Sequence, residues 1–425
     1  MNEHIGKTIL VMGATSQTVP FIAKAHEMGI KVYCADYSPN AIAKQYSDYP
    51  LLIDCFDIDQ LEKIVNERSI DGIILGCADV LLSPYEELCR RTGRPCYATK
   101  DLVDIFGNKK GLKVKLKEYG LPYIPEFHYD DVYSLKDSDF PLFVKPVDNC
   151  SSKGMSVCYR KENFENCVQK ALNASRSRTI LIEKYMVCDD ISITYTFVDG
   201  NVFVTSISDR YVNREQEGVG TITTALVYPS KYTQLYFDTI HENACKMFLD
   251  LGIQNGVLTM QSFVKDGKIM FYDPAFRTTG GQGYIIYNHF GAVDQIRMLI
   301  EFSLTGRMTD DISEISRESN FGSSWAVNLV LLVNTGTIKS IKGLEEAKQV
   351  DGVINITQTH FEGDRIIGRG TLDQSLARCH IVADSKERLA SSINTILDLV
   401  RVRDEEDNDM LLEQFNTAEL LKNYK

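Results

Sequence analysis

The sequence predicts an α/β protein built from more than one packed unit. Three observations carry that expectation. The first hundred residues alternate short apolar strands with segments of helical periodicity; the middle interleaves strands, helices and a glycine-turn hairpin; the last third is a run of short strands punctuated by glycine. With 425 residues, 44% of them apolar and 24% charged, the chain has enough length for two or three domains.

Residues 7–13 form an apolar strand that runs into Gly13-Ala14-Thr15-Ser16-Gln17. Residues 19–28 then carry apolar side chains at helical spacing, and Gly29 closes the helix. Residues 30–35 give the next strand, with Asp36 at its carboxyl end, which completes a βαβ unit of the doubly wound kind. A helix at 60–68, a strand at 72–75 and a helix at 84–92 continue the pattern, so a parallel sheet with crossover helices is expected. One glycine after the first strand falls short of the three-glycine dinucleotide fingerprint, and a tight strand-to-helix turn explains that loop better. Asp36 and the Cys77-Ala78-Asp79 turn can still line a cleft at the strand ends.

Gly107-Asn108-Lys109-Lys110 leads into a lysine-rich amphipathic helix over 112–119, whose lysines read as a solvated basic face. In the stretch 141–157 a short apolar strand ends on Lys145, Pro146 stops it, and a small-residue loop containing Ser151, Ser152, Lys153 and Gly154 follows. A lysine held at a strand end, followed by hydroxyls, backbone N–H groups and a second ammonium, is a layout for gripping phosphate. It is not a P-loop, because no Gly-Lys-Ser/Thr opens a helix here. By its own composition the loop fits an ordinary hairpin turn equally well.

A helix at 162–172 follows, and then a strand at 179–182 that stops at Glu183-Lys184-Tyr185-Met186. Strands at 191–198 and 201–208 come next, the second leading into Asp209-Arg210 and a polar loop at 213–220 with the composition of a mobile lid. After a helix at 239–251, residues 257–264 and 268–272 pair as a hairpin across Asp266-Gly267. That hairpin carries Gln261 on one strand and Asp273 at the end of the other, with Arg277 and the flexible run 278–283 just beyond. An acid and an arginine at one strand end can grip a metal-phosphate, or form a structural salt bridge. A helix at 293–304, short strands within 323–394, a helix at 387–400 and a solvated acidic connector at 404–409 complete the chain.

Lysine and arginine total 46 against 58 aspartate and glutamate, a formal charge of −12, which excludes a basic nucleic-acid footprint. No apolar run approaches the roughly 18 residues that a membrane span requires, and the polar start carries no export signal, so a cytoplasmic location is expected. The eleven cysteines lack metal or disulfide spacing and read as reduced thiols.

In this order the motifs resemble the ATP-grasp superfamily, in particular the carboxylate-amine ligases related to biotin carboxylase and the carbamoyl-phosphate synthase large chain. The resemblance covers about residues 5–400. It implies a Rossmann-like pre-ATP-grasp domain over 1–106. A two-lobed ATP-grasp domain over 107–310 would follow, with the flap-bearing lobe at about 112–185, and then a β-rich domain over 311–425 with a final helix and acidic tail.

Matched residue by residue, the resemblance implies that Lys109 and Lys145 are nucleotide lysines, with Lys145 on the α and β phosphates. Ser151, Ser152, Lys153 and Gly154 would form the flap, and Glu183, Lys184 and Met186 the hinge, where backbone groups of Lys184 and Met186 read the adenine edge. Asp190 falls at the ribose position, Arg277 faces the transferred phosphate, and Arg210 is a second cation there. Gln261 and Asp273 stand where the pattern has two metal-holding glutamates, and Ala275 where it has asparagine.

The implied chemistry is activation of a small-molecule carboxylate by ATP with Mg²⁺, or Mn²⁺ in its stead. The acyl phosphate so formed is attacked by an amine, with release of ADP and phosphate. Dimers are common in related enzymes, so a homodimer is compatible with the resemblance. The altered metal ligands suggest one alternative, a nucleotide-binding protein with weak or no ligase activity; a dehydrogenase is a distant third.

Overall fold

The computed structural model describes residues 4–107, 109–147, 154–213, 222–315 and 321–424, without the side chains of Lys109, Lys110 and Glu314. The chain opens with the expected parallel sheet. Strands β1 (Thr8–Met12), β2 (Lys31–Asp36), β3 (Tyr49–Leu52) and β4 (Gly72–Leu75) lie in the order β3-β2-β1-β4, all parallel. Ile9 to Met12 are fully buried, as the central strand of a doubly covered sheet requires. Asp36 accepts hydrogen bonds from the backbone N–H groups of Ala14 (3.0 Å) and Ser38 (2.8 Å). Asp36 therefore tightens the strand-to-helix turn.

A small antiparallel sheet follows: β5 (Leu142–Pro146), β6 (Ser156–Cys158) and β7 (Ile180–Lys184), in the order β6-β5-β7. The helix Phe164–Ala174 packs on it, and Leu142, Val144, Phe164, Val168 and Ile182 form its separate core. Strand β7 runs on through Lys184 instead of stopping at Ile182, which seats Glu183 in the ladder opposite Phe143.

The remaining strands are β8 (Asp189–Val198), β9 (Asn201–Asn213), β10 (Ile222–Tyr228), β11 (Gly256–Lys265), β12 (Lys268–Ala275), β13 (Trp325–Leu332), β14 (Gly336–Lys342), β15 (Val353–Gln358), β16 (Arg365–Ile366), β17 (Ser375–Ala383) and β18 (Arg401–Asp404). Eight of them make one antiparallel sheet in the order β12-β11-β8-β9-β10-β13-β17-β15. The other three, β14, β16 and β18, form a small sheet of order β16-β14-β18. The large sheet crosses residues 310 and 311 without interruption, through the pairing of β10 with β13. Asp209 and Arg210 are strand residues of β9, not the start of a loop. Of the loop at 213–220, only Asn213 lies within the described residues.

The acidic segment is not a loose connector. Asp404 accepts from the N–H groups of Glu406 (2.9 Å) and Asn408 (2.8 Å), which folds 404–408 into a tight turn. The chain then returns to pack the helix Thr417–Asn423 on the helix Lys386–Leu399. Leu420 and Tyr424 are buried there, and the Tyr424 hydroxyl donates to Asp209. Met410, Phe415, Leu420 and Tyr424 supply the apolar surface that holds this tail down. Among the described residues no helix is long and apolar enough to cross a membrane, and the described cysteines are free thiols.

Candidate active site

Strand β5 delivers Lys145 and strand β7 delivers Glu183 to one buried point. Lys145 Nζ stands 2.6 Å from Glu183 Oε2, and Lys113 Nζ donates to Oε1. All three residues are at least 94% buried. Lys113 also reaches Glu126 at 3.6 Å. Burial pushes the Glu183 carboxyl up, but the Lys145 and Lys113 ammoniums outweigh it and hold the group below its ordinary range. Lys113 lies on the helix Lys109–Glu118, the helix whose lysines the sequence presents as a solvated face. One of those lysines is instead a core residue. Its neighbours Leu112 and Leu116 mark the buried side of the helix, and that is the one signal by which Lys113 could have been separated from the rest.

Strand β5 also leads toward the predicted flap. Ser151, Ser152 and Lys153 lie outside the described residues, as does the side chain of Lys109. Gly154 has φ +76°, and a Cβ there would stand 2.3 Å from Ala174 Cβ, so only glycine fits where the chain re-enters β6.

At the hinge, the Lys184 N–H donates to the Pro125 carbonyl (3.0 Å) and its ammonium to the Asp139 carbonyl (2.6 Å). An adenine contact through that N–H would have to displace Pro125. Met186 packs with Ile124 and Met270 in a small apolar cluster beside Cys188, Phe263 and Tyr272.

On the large sheet, Gln261 and Asp273 are direct cross-strand partners on β11 and β12. A bulge between Gln261 and Ser262 marks the spot. The Tyr272 hydroxyl is 2.9 Å from Gln261 Oε1 and 3.1 Å from Asp190 Oδ2. Asp190 is also ion-paired with Arg210, whose Nε donates to Thr223 Oγ1 (2.9 Å). Asp190 and Arg210 are therefore bound to each other and not both open to a ligand. Among the described residues no three acidic, histidine or cysteine side chains converge on a metal position. One carboxylate and one amide oxygen are too few for a resident ion. They do fit an ion that arrives already carrying phosphate oxygens.

Arg277 lies just past β12, where the opening parallel sheet meets the large one. Its Nη2 donates to Asp79 Oδ2 (2.5 Å) and its Nη1 to the Thr278 carbonyl (2.7 Å), while its buried Nε has no partner. Cys77 Sγ is 3.8 Å from Thr278 Oγ1, and the Tyr284 hydroxyl donates to the Gln17 carbonyl (3.3 Å). The two strand-end loops of the first sheet, around Gln17 and around Asp79, thus wall the segment 277–284.

The family model for the D-ala D-ala ligase C-terminus matches residues 131–272. The formate-dependent phosphoribosylglycinamide formyltransferase of Prochlorococcus marinus (strain MIT 9301) is 26% identical over 192 residues, 43% of this chain and 48% of that protein. The chain spans about half the length of the first curated relatives it matches. The L-amino acid ligase from Bacillus licheniformis superimposes with a TM-score of 0.76 at 19% identity, covering 94% of this chain and 99% of that one. The biotin carboxylase domain dimer of Hydrogenobacter thermophilus 2-oxoglutarate carboxylase, solved with MgADP and bicarbonate, gives 0.74 at 16% identity, covering 95% and 91%. Both are likenesses of fold alone, and the family match is confined to residues 131–272, so the chain shares the fold of this ligase and this carboxylase domain and carries a central stretch similar to the D-ala D-ala ligase C-terminus.

Proposed function

We propose that this chain is an ATP-dependent ligase that converts a small-molecule carboxylate to an acyl phosphate and passes the acyl group to an amine, releasing ADP and phosphate. The observation that carries the reading is the cluster of Lys145 and Lys113 on Glu183, at the end of the strand that leads into the 148–153 segment. A carboxylate that holds two buried ammoniums fixes them in place before any anion arrives, which is what phosphoryl transfer asks of a protein.

In this reading the apolar cluster of Ile124, Met186 and Met270 receives the purine ring. Lys145 contacts the α and β phosphates, and Arg277, oriented by Asp79, faces the transferred phosphoryl group with its free Nε donor. A carboxylate oxygen of the substrate attacks the γ phosphorus, the bond from that phosphorus to the β-bridging oxygen breaks, and ADP leaves. The amine nitrogen then attacks the acyl carbon, the carbon–oxygen bond to phosphate breaks, and the nitrogen loses a proton. Lys145 and Arg277 neutralise the charge that develops on phosphate oxygens. Asp273 and Gln261 would hold Mg²⁺, or Mn²⁺, brought in on the nucleotide, and the ion would supply further neutralisation of phosphate charge. The names of the relatives and neighbours, a formyltransferase, a ligase and a carboxylase, favour turnover over nucleotide binding alone.

The test is coupled detection of ADP with the full chain, Mg-ATP and a panel of acids and amines. Release that requires one acid and one amine together is expected, and should be lost in Lys145→Met. ADP release indifferent to both, or none with any pair, would overturn the proposal.

A further inference from the structure

Arg378, on β17, is a cation without a counter-ion. It is 7% exposed, and among the described residues its guanidinium has no ion pair and no hydrogen bond, its backbone alone being paired in the ladder. Its nitrogens are not among the fully buried polar atoms that lack a partner, so they open onto accessible space, where a cation so little hydrated favours an anionic ligand. Burial holds it below the usual arginine range, at about 10, and its electrostatic neighbours are the hydroxyls of Tyr228 and Tyr284.

A second set of unsatisfied groups sits in the same place. Gln282 is fully buried, and neither its Oε1 nor its Nε2 makes a hydrogen bond of acceptable geometry, although it lies beside the Tyr284 hydroxyl. Its φ of +57° fixes it in a conformation that side-chain-bearing residues rarely adopt. Asn328, paired in register with His380 between β13 and β17, donates through Nδ2 to the Gly281 carbonyl and leaves Oδ1 unpartnered.

His380 adds no positive charge. The Asn355 amide stands 3.3 Å from its Nδ1, its Nε2 faces the Gly281 carbonyl at 3.4 Å, and burial lowers it to about 3. The position therefore offers a single positive charge with neutral amides beside it. One guanidinium matches one carboxylate in charge and in its planar fork, whereas a dianionic phosphate in so dry a place would keep a charge unpaired. The segment 278–283 joins this place to Arg277, and the Tyr284 hydroxyl is within electrostatic reach of both Cys77 and Arg378.

We propose that Arg378, with the Gln282 amide, forms a subsite for one carboxylate group of a small substrate. The assignment rests on the ligase reading for its place in a reaction, but the binding itself can be tested without turnover. The full chain, free of nucleotide, is titrated by saturation-transfer NMR with the twenty standard amino acids, acetate and succinate, and with inorganic phosphate as competitor. At least one carboxylate should bind and resist displacement by phosphate. Arg378→Met should weaken that binding at least tenfold, and Gln282→Met about threefold or more, with Mg-ATP affinity unchanged in both. Arg378→Met should also melt at or above the wild-type temperature, because an unpaired buried charge is gone. The assignment is overturned if no carboxylate binds, if phosphate displaces it, if both variants bind as wild type does, or if Arg378→Met melts several degrees lower. Intact carboxylate binding without ADP release would instead sink the ligase reading and leave this subsite standing.

Discussion

Glu183 holds the ammonium of Lys145 at 2.6 Å while its other oxygen takes Lys113, so one buried carboxylate fixes two cations supplied by separate segments of the chain. Replacing Glu183 by Gln leaves the Lys145 ammonium without its counter-charge beside that of Lys113, which keeps only Glu126 at 3.6 Å. Urea unfolding should show a loss of about 3–5 kcal/mol near neutral pH. The Glu183 carboxyl is depressed below its ordinary 4.5, so its contribution is complete above that value and is lost as pH falls toward the folded-state pKa. The gap between wild type and Glu183→Gln should accordingly narrow below about pH 4.5. A gap that stays constant with pH would show that the carboxylate is not the source.

Lys145 and Lys113 share an anion but not a position, and their variants should separate. Lys145→Met, at the strand end, should lower kcat/KM for ATP by about 10²-fold or more. Lys113→Met should act mainly on stability, because Glu183 keeps one partner. Equal kinetic losses in the two would mean that both contact the nucleotide.

Asp79 and Arg277 are coupled across the join between the parallel sheet and the large sheet. A double-mutant cycle with Asp79→Asn and Arg277→Lys should give an interaction of about 0.5–3 kcal/mol in unfolding experiments. Asp79→Asn alone should reduce kcat more than it raises KM, since in the proposed function it disorients the arginine that faces the transferred phosphate.

Gln261→Glu places a second carboxylate across from Asp273. The Mg²⁺ concentration for half-maximal ATP-dependent turnover should fall by about an order of magnitude, since Mg²⁺ prefers anionic oxygens. Chelation of the metal should abolish turnover in both proteins. An unchanged Mg²⁺ dependence would remove Gln261 from the metal position.

Elements with a strong local pattern were legible in the sequence, and contacts between distant segments were not. The parallel sheet, the hairpin across Asp266-Gly267 and the strand carrying Lys145 follow from periodicity and turn residues, although Pro146 continues that strand opposite Ile180 and does not stop it. The pairing of Gln261 with Asp273 follows in turn from that hairpin. Lys113 was hidden because a lysine-rich helix reads as solvated unless the distant Glu183 is known. Strand β10 was hidden because it follows a polar, glycine-containing stretch of sequence, and the end of β9 because Asp209 and Arg210 look like loop residues until Ser230, Tyr424 and Asp190 are seen to satisfy them. Arg378 carried no signal at all, since nothing in a run of short strands tells which arginine points inward.

The unbroken passage of the large sheet from β10 to β13 has a bearing on how this protein can be divided. A chain ending near residue 310 would lose β13, β15 and β17 and bare the backbone of β10 along its length. Such an edge invites pairing with another copy. The last quarter of the chain is therefore no detachable module: a shortened version should aggregate, and one carrying only the C-terminal part should not fold, unless the two pieces are made together and reassemble along that seam.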